Sequence, residues 1–325
     1  MNGFMALTSL RQGTSESHVN QLEGINILRI GTRGSRLALI QADTVKNLLE
    51  KKGVKCELVV VKTSGDSFTQ RPFREAGIGA FVREIDERML TGEIDLAVHS
   101  LKDVPTKRPK EISICAVLPR AAPYDALILE RPLGNGAVIG TSSLRRHAQL
   151  ARYFPQYIRR HVRGNVDTRL RKLKEKEFDA IVLAEAGLER LGVHINTKRL
   201  PFIPSPNQGI IAVLGSDHSD EYDVLTMLND SATFAEAMVE RIIMETLGGG
   251  CLVPLGVFAQ QQGEWVNVSA EVLSLDGQRA VRLSDAIRTE SYARDSRTFA
   301  LRIKENGGEA LVAEAIGAAA PRADL

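Results

Sequence analysis

One carboxylate of the chain has neighbours that suit acid–base chemistry: Asp103, in the segment His99-Ser100-Leu101-Lys102-Asp103-Val104-Pro105. An apolar run before this segment predicts a strand, and open α/β sheets bind ligands beyond the carboxyl ends of their strands. The cation Lys102, together with burial, can set the pKa of the Asp103 carboxyl group. We therefore predict that Asp103 is a catalytic group facing a cleft. An ordinary Asp-Val-Pro turn is the alternative, and His99 could equally be a polar residue packed beneath the loop.

Arginine residues are concentrated in segments that lie far apart in the sequence. Arg binds carboxylates through two parallel hydrogen bonds and stays charged, so several arginines facing one cleft imply a ligand with several carboxylates. A solvated helix face is the simpler interpretation of Arg171, Lys172 and Lys174. The arginines predicted to reach the cleft are Arg33, Arg145, Arg146, Arg163 and Arg169.

Two similar stretches of the sequence each predict a strand-to-helix junction. They are Ile30-Gly31-Thr32-Arg33-Gly34-Ser35 and Ile139-Gly140-Thr141-Ser142-Ser143. In each, an apolar run reaches a glycine and hydroxyl side chains, and a helical pattern follows. The first turn of a helix has unpaired N–H groups and a partial positive charge, which attract anions. The sequence therefore predicts two turns that bind carboxylate or phosphate.

A second pair of blocks, Glu93-Ile94-Asp95-Leu96-Ala97-Val98 and Glu177-Phe178-Asp179-Ala180-Ile181-Val182, predicts two short buried strands. Because both pairs occur in the same order, we predict a duplicated α/β unit; chance likeness between two βα units is the alternative. The first copy is longer by about 25 residues, mainly around 64–80, where a polar, glycine-rich composition predicts a lid or binding loop. A further helix is expected to be capped by Asn165 or Asp167.

Cys251 differs from the other two cysteines. Cys56 and Cys115 lie within apolar runs and are expected in the core, whereas Cys251 follows Gly248-Gly249-Gly250 on a loop after a helix predicted over 232–247. Glycines let a backbone and a thiol approach a ligand closely, so a functional thiol is one interpretation; a small hydrophobe filling a tight turn is the other. Three widely spaced cysteines fit neither a disulfide framework nor a zinc site.

The composition of the chain indicates a globular protein of two or three domains. It has 325 residues, of which 43% are hydrophobic and 25% charged. A net charge of +2, from 42 basic and 40 acidic residues, argues against a general nucleic-acid-binding surface. No apolar run is long enough to cross a membrane, and residues 1–24 lack the apolar core of a secretory signal. We expect a disordered N-terminal extension and a cytoplasmic protein.

Five motifs, in order along the chain, resemble the porphobilinogen deaminase (hydroxymethylbilane synthase) family. They are Gly31-Thr32-Arg33-Gly34-Ser35, the segment from His99 to Pro105, the segment from Gly140 to Arg146, Arg163-Gly164-Asn165-Val166, and Gly249-Gly250-Cys251. The resemblance implies an α/β fold with two duplicated lobes built like periplasmic binding proteins, a cleft between them, and a small α/β C-terminal domain carrying the cysteine. The expected divisions are an extension over 1–24, domain 1 over 25–118 with 207–228, domain 2 over 119–206 and the C-terminal domain over 229–325.

The same resemblance implies an enzyme of tetrapyrrole biosynthesis that joins four porphobilinogen molecules head to tail, releasing ammonia and yielding hydroxymethylbilane. Cys251 would hold a dipyrromethane cofactor through a thioether, and Asp103 would stabilise the positive charge that develops on a pyrrole nitrogen. A monomer that passes its product to the next tetrapyrrole enzyme is expected, with no nucleic acid, membrane or metal partner. By similarity, the other cofactor-binding residues would be Lys102, Ser143, Arg145, Arg146 and Arg169, and the substrate-binding residues Arg33, Ser35, Phe81, Thr141, Ser142, Arg163, Arg190 and Gln208.

The chain departs from the family pattern at three positions. Gly248 and Leu252 stand where many relatives carry Glu and Gln, so the contacts of the cysteine loop are expected to differ from the family pattern. Ile78 stands where many relatives carry Lys, so one contact between the lid and a carboxylate is expected to be missing. A non-enzymatic binding protein, or the effector domain of a regulator, is the alternative class, since two-lobed clefts bind anions widely. Such a protein needs neither the Cys251 thiol nor a carboxylate in the cleft. It would normally carry an export signal or a DNA-binding helix-turn-helix.

Overall fold

The computed structural model describes residues 27–62, 80–216, 222–250 and 252–319. The strands in these residues are β1 (Leu28–Arg33), β2 (Cys56–Val61), β3 (Leu96–Ser100), β4 (Ser113–Val117), β5 (Asp125–Leu129), β6 (Val138–Gly140), β7 (Ile158–Arg160), β8 (Ala180–Ala184), β9 (Thr197–Arg199), β10 (Ile211–Gly215), β11 (Leu255–Gln262), β12 (Trp265–Leu273) and β13 (Ala280–Arg288). The helices are α1 (Arg36–Glu50), α2 (Ala80–Leu90), α3 (Leu144–Tyr153), α4 (Val166–Lys174), α5 (Glu185–Arg190), α6 (Tyr222–Thr226), α7 (Ser231–Leu247), α8 (Tyr292–Ile303) and α9 (Glu309–Ala319).

Two sheets of the described chain repeat one topology. The first lobe has the strand order β2-β1-β3-β10-β4 and the second lobe has the order β7-β6-β8-β5-β9. In both sheets the fourth strand is antiparallel to its neighbours. Each of these fourth strands arrives by a crossover from the other lobe, through residues 118–124 before β5 and residues 200–210 before β10. The predicted duplication and two-lobed α/β fold are confirmed.

The duplication extends to individual side chains at the start of the sheets. The carboxylate of Asp95 accepts a hydrogen bond from the backbone N–H of Arg29 at 2.7 Å, and the carboxylate of Asp179 accepts one from Val138 at 2.8 Å. In return, the N–H groups of Asp95 and Asp179 each donate to the carbonyl of the same partner at 2.9 Å. The two aspartates therefore fix the register of equivalent parallel strands.

A glycine is required at the same place in both lobes. A Cβ atom at Gly31 would lie 2.3 Å from the side chain of Ile94, and a Cβ at Gly140 would lie 2.8 Å from the ring of Phe178. Both partners precede the central strand of their lobe by two residues. The glycines of the two predicted junctions therefore allow large side chains to pack against the strand ends.

The C-terminal sheet is antiparallel, in the order β11-β12-β13, and α7, α8 and α9 pack with it around a core of its own. The two lobes have separate cores on either side of their sheets. The domain boundaries given above stay a prediction. Among the described residues, no helix is both long and apolar enough to cross a membrane.

A buried ion pair joins the C-terminal domain to both crossovers. Arg120, in the first crossover, donates to the carboxylate of Glu240 on α7 at 2.7 Å and to the Gln208 carbonyl at 3.0 Å. The same carboxylate accepts the N–H groups of Asn207 and Ala259, in the second crossover and in β11. Glu240 is thus fully hydrogen-bonded although it is completely buried.

Helix α4 begins at Asn165, whose side chain accepts the N–H of Thr168 at 2.9 Å. Asp167, the other candidate cap, instead lies in the first turn and pairs with Arg36 of the first lobe at 3.4 Å. Of the sequence expectations, those for residues 1–24, for the loop over 64–79 including Ile78, and for Cys251 fall outside the described residues. The side chain of Phe81 also falls outside them.

Candidate active site

Both predicted anion-binding turns form, and each is closed by a serine. The Ser35 hydroxyl accepts the N–H of Ala38 at the start of α1, and the Ser143 hydroxyl accepts the N–H of Arg146 at the start of α3. In both helices the capping residue is extended and the acceptor lies three residues before the donor. Serine is favoured here because its oxygen satisfies an N–H group that the helix leaves unpaired.

The first lobe brings the first turn and the Asp103 segment together. Strands β1 and β3 are parallel neighbours, so their carboxyl ends meet at one edge of the sheet. A single 3₁₀ turn, Leu101–Asp103, follows β3 directly and leaves Asp103 exposed. The cavity at this edge is lined by Arg33, Ser35, Gln41, His99, Ser100 and Asp103, among others.

Lys102 extends the site toward the second lobe. Burial lowers the pKa of its ammonium group to about 8; nearby Asp103 opposes this shift, and Arg146 and Arg145 add to it. Because two of these neighbours belong to α3 of the second lobe, Lys102 lies in the field of both lobes. A lysine of this kind binds an anion strongly but keeps its charge only below about pH 8.

Arg169 completes the site from the other side of the cleft. Its guanidinium donates to the Gly164 carbonyl at 2.8 Å, which holds the side chain at the start of α4. Burial lowers the pKa of Arg169 to about 10, the charge of Arg146 acts in the same direction, and the carboxylate of Asp103 opposes it. Asp103 of one lobe and Arg169 of the other therefore interact across the cleft. Arg163 lies half-buried after β7, near the same end of the sheet.

Arg145 and Arg146 are placed differently from the sequence prediction of side chains open to the cleft. Both are buried, and both hold the completely buried carboxylate of Asp125, at 2.6 Å from Arg145 and 2.8 Å from Arg146. Burial raises the pKa of Asp125, but the two guanidinium groups outweigh it and hold that pKa well below its usual value. One carboxylate facing two arginines leaves a net positive charge beside Lys102.

The remaining predicted binding residues are largely engaged within the protein. Gln208 donates to the Pro123 carbonyl at 2.8 Å and to Asp125 at 2.9 Å, and Arg190 donates to the Gly209 carbonyl at 2.6 Å. In the second turn, the Thr141 hydroxyl accepts the N–H of Ser143, and the Ser142 hydroxyl donates to the Val162 carbonyl. A binding role for these five residues stays a prediction. The five are Thr141, Ser142, Ser143, Arg190 and Gln208.

Three polar residues of the site were missed or left open by the sequence analysis. Asp125 was missed because it looks like an ordinary residue before an apolar strand. Gln41 exchanges hydrogen bonds with Ser100 at 2.9 and 3.1 Å. It lies four residues before Val45 on the buried face of α1, and this helical spacing is a signal in the sequence that Gln41 faces inward. His99, left open between two roles, is buried, and its Nε2 atom has no hydrogen-bond partner among the described residues.

Two protein-family models match different parts of the chain. A family model described as "Porphobilinogen deaminase, dipyromethane cofactor binding domain" matches residues 28–223, and one described as "Porphobilinogen deaminase, C-terminal domain" matches residues 234–298. The chain belongs to the porphobilinogen deaminase family. The first match includes both lobes, so the porphobilinogen deaminase cleft and its turns lie within the cofactor-binding part of the chain.

Curated relatives match along most of their length. A "Probable porphobilinogen deaminase" of Methanococcoides burtonii is 46% identical over 298 residues, covering 88% of this chain and 96% of that protein. Another, of Methanocella arvoryzae, is 46% identical over 89% of this chain and 98% of that protein. The "Porphobilinogen deaminase" of Syntrophomonas wolfei is 40% identical over 88% and 98%. Among solved structures, a periplasmic VFT2 domain of Bordetella pertussis BvgS matches 62% of this chain and 85% of its own, with 14% identity and a TM-score of 0.37.

The cofactor of the porphobilinogen deaminase family is dipyrromethane, and the described residues fit it. Its rings carry acetate and propionate groups, which match the cations Lys102, Arg33 and Arg169 of the two lobes. Its pyrrole N–H groups match the exposed carboxylate of Asp103, and the Nε2 atom of His99 offers one more buried polar partner. Among the described residues, no group of three or more His, Cys, Asp and Glu side chains is placed to hold a metal ion.

Proposed function

We propose that this chain joins four porphobilinogen molecules head to tail, each losing one ammonia. Water then cleaves the bond between the primer and the tetrapyrrole, which gives hydroxymethylbilane its hydroxyl group. The observation that carries this function is the position of Asp103, an exposed carboxylate among cations contributed by both lobes. A site for one simple anion needs the cations but gains nothing from a carboxylate among them. A substrate that carries several carboxylates and develops positive charge at its reacting centre needs both the cations and the carboxylate.

The cations of the cleft bind and orient the substrate. Porphobilinogen carries an acetate and a propionate group, and Arg33 and Lys102 lie on the same edge of the first lobe as Asp103. Arg169 approaches from the second lobe, held by the Gly164 carbonyl. Carboxylates bound to both lobes would place each pyrrole ring over Asp103 and exclude water from it.

Asp103 acts on the charge that develops during the reaction. Loss of the aminomethyl nitrogen as ammonia leaves a cation delocalised over the pyrrole of the substrate, and a carboxylate beside the ring nitrogen lowers the energy of that cation. The carbon–carbon bond then forms when the α-carbon of the terminal pyrrole attacks, and a proton is lost from that carbon. Asp103 would hold the pyrrole N–H through these steps and relay the proton.

Cys251 is the proposed attachment point of the cofactor, through a thioether that provides the primer for chain growth. Helix α7 ends at Leu247, four residues before Cys251 in the sequence, and its C-cap residue Gly248 adopts a left-handed conformation with φ 71°. Any residue with a side chain would be less favourable there than glycine. The thiolate is the nucleophile that such an attachment needs.

The mass of the intact protein tests this function. Purified wild-type protein treated with porphobilinogen should exceed its sequence mass by two pyrrole units, and Cys251→Ser should keep the bare mass and have no activity. Cys56→Ser, which changes a buried thiol of the first lobe, is the matched control and should behave as wild type. Asp103→Asn should fold and lose most turnover. A bare wild-type mass, or full activity of Cys251→Ser, would refute the proposal.

The released tetrapyrrole would pass to the next enzyme of tetrapyrrole biosynthesis, and the chain would act as a monomer. Both lobes, both crossovers and the C-terminal domain belong to one polypeptide, and we propose that its cleft works without a second copy of the chain. Light scattering of the purified protein should therefore give the mass of a single chain. A stable dimer would contradict this part of the proposal.

A further inference from the structure

Helix α7 packs against two parts of the molecule at once. Its residues Phe234, Ala237 and Met238 contribute to a core of the first lobe. Its residues Val239, Ile243 and Leu247 contribute to the core of the C-terminal domain. The helix is therefore a rigid connection between the first lobe, which carries Asp103, and the loop that carries Cys251.

One side chain of α7 binds the backbone directly after Asp103. Arg241 donates from Nη1 to the Val104 carbonyl at 3.0 Å and from Nη2 to the Pro105 carbonyl at 2.8 Å. Arg241 is 9% exposed, and Val104 is buried. The 3₁₀ turn that presents Asp103 is short, and its one internal backbone bond runs from the Val104 N–H to the Leu101 carbonyl at 3.1 Å. Arg241 thus supplies two further hydrogen bonds to a turn that has few of its own.

The charges around Arg241 indicate that this contact is costly to form. Burial lowers the pKa of its guanidinium to about 10, the nearby charge of Arg108 acts in the same direction, and Glu245 opposes the shift. Arg108 itself pairs with the buried carboxylate of Asp86 on α2. A guanidinium buried beside Arg108, with two carbonyl oxygens as its hydrogen-bond partners among the described residues, costs folding free energy.

We propose that Arg241 is a positioning residue of the reaction, which holds the turn of Asp103 at a fixed place relative to the cysteine loop through the Val104 and Pro105 carbonyls. This inference rests on the proposed function, since it needs Asp103 to act on a chain anchored at Cys251. Arg241 of α7 holds the turn, and the same helix ends at Leu247, four residues before Cys251 in the sequence. A misplaced catalytic carboxylate loses its effect on the transition state faster than it loses substrate binding.

Two variants of Arg241 separate this role from a purely structural one. Arg241→Lys keeps the charge but can direct its single nitrogen to the two carbonyls only imperfectly, and Arg241→Gln removes the charge and one donor direction. We expect the holoenzyme to retain its cofactor mass in both. We expect kcat to fall about 10-fold or more for Gln and less for Lys, with KM changed by less than about 2-fold.

Hydrogen exchange gives a readout that does not depend on activity. In Arg241→Gln holoenzyme the Val104 amide should exchange at least about 10-fold faster than in wild type, with the amides of β3 unchanged. The matched control is Arg29→Gln, which also removes a guanidinium bound by two hydrogen bonds in the first lobe but lies at the other end of its sheet. It should lower stability without changing the Val104 amide or kcat.

The outcomes distinguish this inference from the proposed function. The positioning role of Arg241 would be refuted if both Arg241 variants kept the wild-type exchange rate of the Val104 amide and the wild-type kcat. This holds provided that Asp103→Asn is inactive in the same assay. An equal loss of kcat in Arg29→Gln would also overturn it, because the effect would then follow from stability alone. If Arg241→Gln does not fold, the Lys variant decides by the same two measurements. An active Asp103→Asn protein would refute the proposed function itself.

Discussion

Arg146 lies against the carboxylate of Asp125, with Nη2 2.8 Å and Nε 3.0 Å from the Oδ1 atom, and both residues are buried. The arginine belongs to the second anion-binding turn and the aspartate begins β5, so the contact joins the turn to the strand that follows the first crossover. The guanidinium of Arg146, which the sequence predicts to bind a ligand carboxylate, therefore already donates to a carboxylate of the protein. The remaining donors of Arg146 reach the Val182 carbonyl and Gln208.

We expect the removal of Arg146 to act mainly by destabilising the folded protein. Arg146→Leu leaves the buried carboxylate of Asp125 with one cation in place of two, and loss of one partner of a buried ion pair typically costs about 3–5 kcal/mol. We expect a comparable decrease in the free energy of unfolding, measured by urea denaturation. Arg171→Leu, which breaks an exposed pair with Glu175 on α4, is the control and should change it by less than about 1 kcal/mol. Equal effects would mean that the buried pair is not what stabilises the second lobe.

The sequence predicts the local features of the second turn but not the partner of Arg146. The two junctions, the duplicated strands and the serine caps follow from local patterns, because strand ends and helix starts have characteristic residues at fixed spacing. The partner of Arg146 does not follow, since Asp125 lies 21 residues away on a strand that enters the second sheet only after a crossover. Which buried charges pair is decided by topology, and the sequence of the turn alone carries no signal of it.

His99 should make the protein sensitive to acid. Burial lowers the pKa of its imidazole to about 3, with Arg108 and Arg33 adding to the shift, so the folded state holds this side chain neutral. The unfolded state protonates near pH 6.5, so it binds more protons as the pH falls and the free energy of unfolding decreases by up to ~1.4 kcal/mol per pH unit. His99→Gln should remove this decrease between about pH 6.5 and pH 3, while His194→Gln, an exposed histidine, should not. Identical acid profiles of all three proteins would show that His99 is not held neutral.

Lys102 should limit activity at high pH. Its pKa is lowered to about 8, so its ammonium is charged below that pH and loses its attraction for substrate carboxylates above it. We expect kcat/KM for porphobilinogen to decline as the pH rises through about 8 and the decline to move to higher pH in Lys102→Arg, whose guanidinium stays charged. Lys107→Arg, an exposed change five residues away, is the control and should follow wild type. An unchanged profile for Lys102→Arg would assign the decline to another group.

The hydrogen-bonded pair Arg120–Glu240 should be strongly coupled, because it joins the first crossover to α7 where almost no water reaches it. The side chains are 8% and 0% exposed, and the carboxylate also accepts the Asn207 and Ala259 amides, so either single change leaves a buried charge or N–H group without its partner. In a double-mutant cycle, Arg120→Leu and Glu240→Leu should each cost about 3–5 kcal/mol, and the double variant should cost clearly less than their sum. The exposed pair Arg171–Glu175 should show a coupling of at most about 0.5 kcal/mol in the same assay. Additive effects at Arg120 and Glu240 would mean that the crossover and α7 are held together by their apolar contacts and not by this ion pair.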